Sequence, residues 1–276
     1  MATPTKLGDI ETAGSPRYHR GMVWFRRSDD RLTIMPIADP SKAVNPNGIK
    51  TLSDPVPLHT GPVVFRGEGD KLMMMLGNPP YLHGQIGNCI TVSAPVPCEQ
   101  YIYFRSTDNK LQRVKQDGTR LETLSTSCET RPAISSADPN TVYYGSGDQM
   151  RWLNIASGSV TSSPWGRVDS ETLFKSRDGN VYFTRWSHLY RGGSSTSDIP
   201  ADSFAPMTRA QADDSMVYYT DRGKLCRVPN SLDKSKIETL LESGARSAVD
   251  AQAGFVLYAG TDHKIYKLAV SSPVVQ

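Results

Sequence analysis

The chain has 276 residues, 38% hydrophobic, with 22 Gly and 19 Pro, and its 31 basic and 28 acidic side chains leave a net charge of +3. This turn-rich composition excludes collagen and extended disorder, and so small a charge excludes nucleic acid and membrane surfaces as partners unless the cations cluster. No apolar run approaches the roughly 18 residues of a transmembrane segment.

Taken in chain order, the N-terminal "MATPTKLGDIETAGSPRYHR" lacks the basic start and apolar stretch of a signal peptide. The protein is therefore expected in the cytoplasm, or secreted without a recognisable leader. The first short hairpin follows, its opening strand "VWF" and its second strand beginning at Leu32. The same phrase returns as "VVF", "IYF", "VYY", "VYF", "VYY" and "VLY", and each time an aliphatic residue opens the partner strand. Those residues are Leu32, Leu72, Leu111, Met150, Leu189, Leu225 and Ile265, so the successive differences are 40, 39, 39, 39, 36 and 40. β-branched and aromatic side chains suit a pleated surface. The polar turns carry Asp30, Asp70, Asp108, Asp148, Asp221 and Asp262, a residue that bonds the backbone ahead of it in turns.

After each hairpin comes a third run, such as "RLETL" or "KIETLLE", and then a small-residue segment, such as "RPAISSA" or "RSAVDA". Four strands in about 40 residues is the period of a propeller blade. The fold class is therefore all-β: a seven-bladed β-propeller of four-stranded antiparallel blades, forming one domain over 1–276. A six-bladed ring with a spare hairpin is the alternative, and the repeat count argues against it. Only "AVSSPVVQ" follows Leu268, so residues from Leu7 to Thr12 are expected to supply the outer strand of the last blade. N- and C-terminal strands then share that blade and close the ring. The hairpin wording resembles the repeats of the tectonin-type and YWTD-like propeller families, and the resemblance implies the same fold over nearly the whole chain.

Loops joining second to third strands, and outer strands to the next inner strand, share one end of a propeller. The segments before the inner strands carry Arg17, Arg131, Arg167, Arg209 and Arg246. Guanidinium groups near a channel mouth suit an anionic or polyhydroxylated ligand; equally, each can pair with a turn Asp and lock blade to blade. The fifth turn, "VYFTRWSHLYR", sets Trp186 and His188 where other blades carry Asp and a basic residue. An aromatic at a loop tip can stack on a sugar ring, or pack on the adjacent blade. At the opposite end, the long loop "NPPYLHG" offers Tyr81 and Leu82, or covers a strand edge.

His19 and His59 occupy similar places in the first two units, too little for a metal site. Cys89, Cys98, Cys128 and Cys226 match no zinc spacing and read as reduced structural thiols, with Cys89 and Cys128 at equivalent places in neighbouring units. No HExxH, GxSxG, phosphate-binding or EF-hand loop occurs, so no cofactor or metal is expected. The reading is a non-catalytic, lectin-like propeller whose partner is a glycan or another polar or anionic ligand. The alternatives are an enzyme with a channel-mouth pocket acting on an anionic small molecule, and a protein-interaction scaffold.

Overall fold

The computed structural model describes residues 3–58, 60–77, 79–163, 166–169, 172–175, 180–186, 188–192, 199–201, 203–206, 216–252 and 254–270. Seven antiparallel sheets succeed one another along the chain, and the fold is an all-β seven-bladed propeller. The first sheet holds Arg17–His19, Met22–Arg26 and Leu32–Pro36; the second holds Val56–Pro57, Val63–Arg66, Lys71–Met75 and His83–Ile90. Val96–Cys98, Tyr101–Arg105, Leu111–Lys115 and Glu122–Ser125 form the third, and Ala133–Ser135, Asp138–Ser146, Gln149–Asn154 and Val160–Ser162 the fourth. The fifth comprises Phe174–Lys175, Val181–Arg185, His188–Arg191 and Ile199–Pro200. Ser203–Pro206, Met216–Asp221, Lys224–Pro229 and Glu238–Leu241 make the sixth. The seventh runs Ala245–Gln252, Phe255–Gly260, Ile265–Ala269 and, last, Thr5–Lys6.

Two compact units emerge, one of residues 1–48 with 186–276 and one of residues 49–185. In the first, Leu7, Val23, Phe25, Met35, Leu257 and Ile265 form a core between the seventh and first sheets. A second core joins the sixth and seventh through Tyr218, Leu225, Val256, Tyr258 and Leu268. In the other unit, Leu72, Ile86, Ile102 and Phe104 join the second and third sheets, and Tyr103, Leu111, Val142 and Tyr144 the third and fourth. A sheet covered on both faces needs apolar side chains on both. That is why the second strands read as unbroken buried runs (Val23, Trp24, Phe25; Ile102, Tyr103, Phe104) rather than alternating ones.

Closure by the N-terminus occurs, with different bounds from those expected. Thr5 pairs with Lys267 and Lys6 with Tyr266, and the Leu7 amide donates to the Ile265 carbonyl at 2.8 Å. Gly8, at φ +73, then turns the chain out of the strand, and Thr12 already belongs to the entry of the first blade. The first sheet also departs from the four-strand rule. Beyond Leu32–Pro36 the chain makes a short 3-10 turn at Pro40–Lys42 and pairs with the sheet through the isolated Ile34–Val44 bridge. Pro40 and Pro46 have no amide to donate, so a regular fourth strand cannot form there. Asn45 caps this edge through its side-chain amide, which donates to the Leu32 carbonyl.

Candidate binding face

Each hairpin between second and third strands turns on a residue in the left-handed region, and two turn lengths supply it. In residues 28–30, 68–70, 107–109 and 261–263 the turn has three residues, closed by bonds such as Arg27 N–H to Arg31 O and Gly260 N–H to Lys264 O. Its left-handed residue is Asp30, Asp70, Asn109 or His263, at φ 61, 61, 57 and 63. Shorter, two-residue turns follow Ser146 and Asp221, with Gly147 at φ 59, Arg222 at φ 48 and Gly223 at φ 83. Trp186, at φ 52, sits at the corresponding point between the Val181–Arg185 and His188–Arg191 strands.

These turns lie against the segments that enter the following blade. Entry amides donate to turn carbonyls: Thr91 to Asp70 at 2.7 Å, Cys128 to Asn109 at 2.6 Å, Thr12 to His263 at 2.8 Å and Ala245 to Gly223 at 2.9 Å. The entry side chain then fastens its own blade. Thr12 Oγ1 donates to the Gly14 and Arg26 carbonyls, Thr51 Oγ1 to Ser53 and Arg66, and Thr91 Oγ1 to Ser93 and Arg105. Cys128 Sγ donates to the Thr130 carbonyl at 3.2 Å, standing where the first three blades use threonine. Cys128 thus corresponds to Thr91, not to Cys89 as the spacing suggested. The signal for this device was present as "TAGSP", "TLSDP", "TVSAP" and "CETRP", whose prolines are all buried, but hairpin-centred alignment passes over it. All four cysteines are buried thiols, and burial raises the pKa of Cys89 and Cys226, which keeps them protonated and unreactive.

The arginines named from the sequence occupy different places in their repeats. Arg17 follows Pro16 and begins an inner strand, Arg131 precedes Pro132, and Arg246 follows the entry residue Ala245. Arg246 is engaged within the scaffold. Its Nη1 bonds His263 Nδ1 at 2.7 Å and its Nη2 donates to the Thr12 carbonyl at 3.0 Å. Arg167 is exposed beside buried Val168. Arg209 and His59 lie outside the described residues.

Arginine–aspartate pairs do form, but within single hairpins rather than between blades, and through arginines the sequence reading did not single out. Arg26, Arg66 and Arg105 end the second strands in "WFR", "VFR" and "YFR". Arg26 Nη1 meets Asp30 at 3.2 Å. Arg66 Nε donates to Asp70 at 2.7 Å and its Nη1 to the Val92 carbonyl at 3.2 Å, while Arg105 reaches the Glu129 carbonyl. The left-handed side chains of the three-residue turns at Asp30, Asp70 and His263 therefore fold back onto arginines.

Trp186 is 72% exposed, although tryptophan is the largest apolar residue available. A left-handed backbone costs a residue with a Cβ about 1–2 kcal/mol, and Asn or Gly is the local preference in such a turn. Neither burial nor backbone preference accounts for tryptophan here. His188, half-buried at the start of the next strand, turns its Nδ1 to the Trp186 carbonyl at 2.8 Å.

Among the described residues, no group of three or more His, Cys, Asp or Glu side chains is placed to hold a metal ion, and no helix is long and apolar enough to cross a membrane. The class defined by sheets, turns and entries is the seven-bladed propeller. Solved structures of similar fold span several kinds of protein. A catalytically inactive virginiamycin B lyase from Staphylococcus aureus, with quinupristin, is 15% identical, with 98% of this chain and 100% of that one covered at TM-score 0.63. The propeller domain of Cps50 (Swd1) from Myceliophteria thermophila is 10% identical over 98% of each chain, at TM-score 0.67. The extracellular domain of a hybrid two-component system from Bacteroides thetaiotaomicron is 10% identical, covering 99% of this chain and 42% of that one at TM-score 0.67. At such identities the likeness is one of fold alone. No protein-family model and no curated protein sequence matches the chain.

Proposed function

We propose that the protein is a non-catalytic binding propeller of lectin type, taking a glycan at the turn end of its blades with Trp186 as the stacking platform. The observation that carries this reading is a tryptophan 72% exposed on a left-handed turn residue. A large apolar residue held exposed in a sparsely populated backbone region points to a functional demand. The flat, polarizable indole face suits the apolar face of a sugar ring, and His188 beside it supplies a polar rim. Of the arginines named from the sequence, Arg167 is exposed, so its removal should cost affinity for an anionic ligand without costing stability.

The test is a glycan array probed with the wild type, Trp186→Ala and Trp186→Asn, with melting temperatures measured on the same samples. Both variants should lose binding, while Trp186→Asn melts at or above the wild-type temperature because Asn tolerates the left-handed backbone. Retained binding by Trp186→Ala would sink the proposal. A protein partner is the second reading, favoured by Leu76 and Leu82, exposed by 45% and 62% in the loop between the second sheet's last two strands. In the glycan reading, Leu82→Ser leaves the array profile unchanged.

A further inference from the structure

We propose that the face between the third and fourth sheets binds a small organic acid, whose carboxylate accepts from the Arg151 guanidinium and the Tyr144 hydroxyl. Tyr144 and Arg151 stand directly opposite in antiparallel register, and Val142 and Leu153 form the pair two residues further on. Alternation puts all four side chains on one face of the fourth sheet. Through Tyr144, Val142 and Leu153 that face packs on Tyr103 and Leu111 of the third sheet. Tyr144 is fully buried, and its hydroxyl has no hydrogen-bond partner among the described residues. Arg151 is half-buried; its Nε is buried without a partner, and no carboxylate among the described residues pairs with its charge. Buried hydroxyl and N–H groups are ordinarily bonded, so two donors left open side by side call for an acceptor.

Other blades close without either group. At the Tyr144 position the first three carry Phe25, Phe65 and Phe104, all fully buried, opposite the uncharged Thr33, Met73 and Gln112. Gln112 donates to Thr123 Oγ1 at 3.1 Å, and in the sixth blade Tyr219 bonds the Cys226 thiol opposite it. The hydroxyl and the cation of the fourth blade are therefore additions that packing does not require. On the facing third sheet, Arg113 donates to Glu122 at 2.6 Å and to the Tyr103 hydroxyl at 3.4 Å, so the uncompensated charge here is that of Arg151. Along the outer strand, Ser162 stands opposite Arg151 and Val160 opposite Leu153, and Val160 is 49% exposed. A guanidinium and a hydroxyl beside exposed apolar surface fit a carboxylate with a short hydrocarbon body better than a bare inorganic ion.

The experiment titrates acetate, butyrate, hexanoate and octanoate, with 1-octanol and inorganic phosphate for comparison, into wild type, Tyr144→Phe and Arg151→Gln by calorimetry. Melting temperatures are recorded on the same samples without ligand. Carboxylate affinity should rise by up to about fourfold per added methylene. Octanoate should bind about tenfold or more tightly than octanol or phosphate, and each substitution should weaken it by about tenfold or more. Neither substitution should lower the melting temperature, because neither removes a bond the folded chain makes to itself. Failure of every carboxylate to bind the wild type, or octanoate binding that survives both substitutions, overturns the proposal. Phosphate or octanol binding as tightly as octanoate overturns the organic-acid assignment, and an Arg151→Gln variant melting well below wild type makes the guanidinium structural and overturns its role. This site shares no residue with the glycan reading, so its failure leaves that reading standing.

Discussion

Tyr144 is fully buried between the third and fourth sheets, and its hydroxyl has no hydrogen-bond partner among the described residues. A buried hydroxyl without a partner costs about 1–3 kcal/mol, whereas the ring itself supplies packing. Tyr144→Phe should therefore be neutral or stabilising by up to about 1 kcal/mol, and Tyr144→Ala should cost about 3–5 kcal/mol, read from urea unfolding. Gly118 presents the opposite case. Its φ is +83, and a Cβ there would meet the Gly87 amide nitrogen at 3.0 Å, where the turn after Leu111–Lys115 rests on the second sheet's outer strand. Backbone atoms cannot swing aside as a side chain can, so Gly118→Ala should destabilise by about 1–3 kcal/mol. Turn carboxylates add a pH dependence. Hydrogen bonds from Lys110 and Ser106 lower the pKa of Asp108, Thr119 lowers that of Asp117, and Ser235 that of Asp233. A depressed folded-state pKa contributes stability that is present above the unfolded value, about 3.9 for Asp, and is lost as pH falls through the folded one. Melting temperature should thus be level near neutrality and fall below about pH 4, more shallowly in Asp108→Asn.

The recurring element is a hairpin turn clasped by the entry strand of the next blade. Thr91 illustrates it, with its amide on Asp70 and its hydroxyl shared between the Ser93 and Arg105 carbonyls. Thr91→Val keeps the shape and removes the hydroxyl, leaving buried carbonyls short of a donor, and should cost about 1–2 kcal/mol. The clasp between the seventh and first blades adds a guanidinium. Arg246 ties His263 in the turn to Thr12 in the entry, so Arg246→Ala should lower the melting temperature while glycan affinity holds. A large affinity loss without a stability loss would instead make Arg246 a ligand contact. At this scale the sequence was partly legible. Asp in the turns was visible, but its role was not: Asp30 and Asp70 take the left-handed position and meet arginines, whereas Asp262 accepts from the Lys264 amide and the Tyr266 hydroxyl. One residue type serves two turn positions, and a spacing rule built on the next aliphatic residue merges them.

For the whole molecule, the decisive contact is the N-terminal strand on the last sheet. Thr5 and Lys6 cover the edge of Ile265–Ala269, and Leu7 is buried among Val23, Phe25, Leu257 and Ile265. Deleting residues 1–7 should expose that edge and remove Leu7 from the core, about 2–3 kcal/mol from the leucine alone. Calorimetry should show a lower melting temperature, and size-exclusion chromatography should show concentration-dependent association. An unchanged melting temperature would mean that closure contributes little.

What the sequence alone determined was the period and everything that follows from it. A strand buried on both faces must be apolar at every position, and a tight turn must be polar, so seven copies of one phrase specify seven blades and a shared last sheet. The entry clasp was also written there, in "TAGSP" and its relatives, because a side chain that bonds the backbone two residues on needs only a local word. Tertiary structure alone decided which charges are occupied and which face outward. Arg246 and Arg167 read alike as basic residues of the entry segments, yet one meets residues 17 and 234 positions away in sequence and the other is exposed. Likewise the letters around Trp186 fit a buried indole as well as a projecting one; in the folded chain it takes a left-handed turn position and is 72% exposed. Burial and ion pairing depend on which distant segments the fold brings alongside, and that information lies in no single repeat.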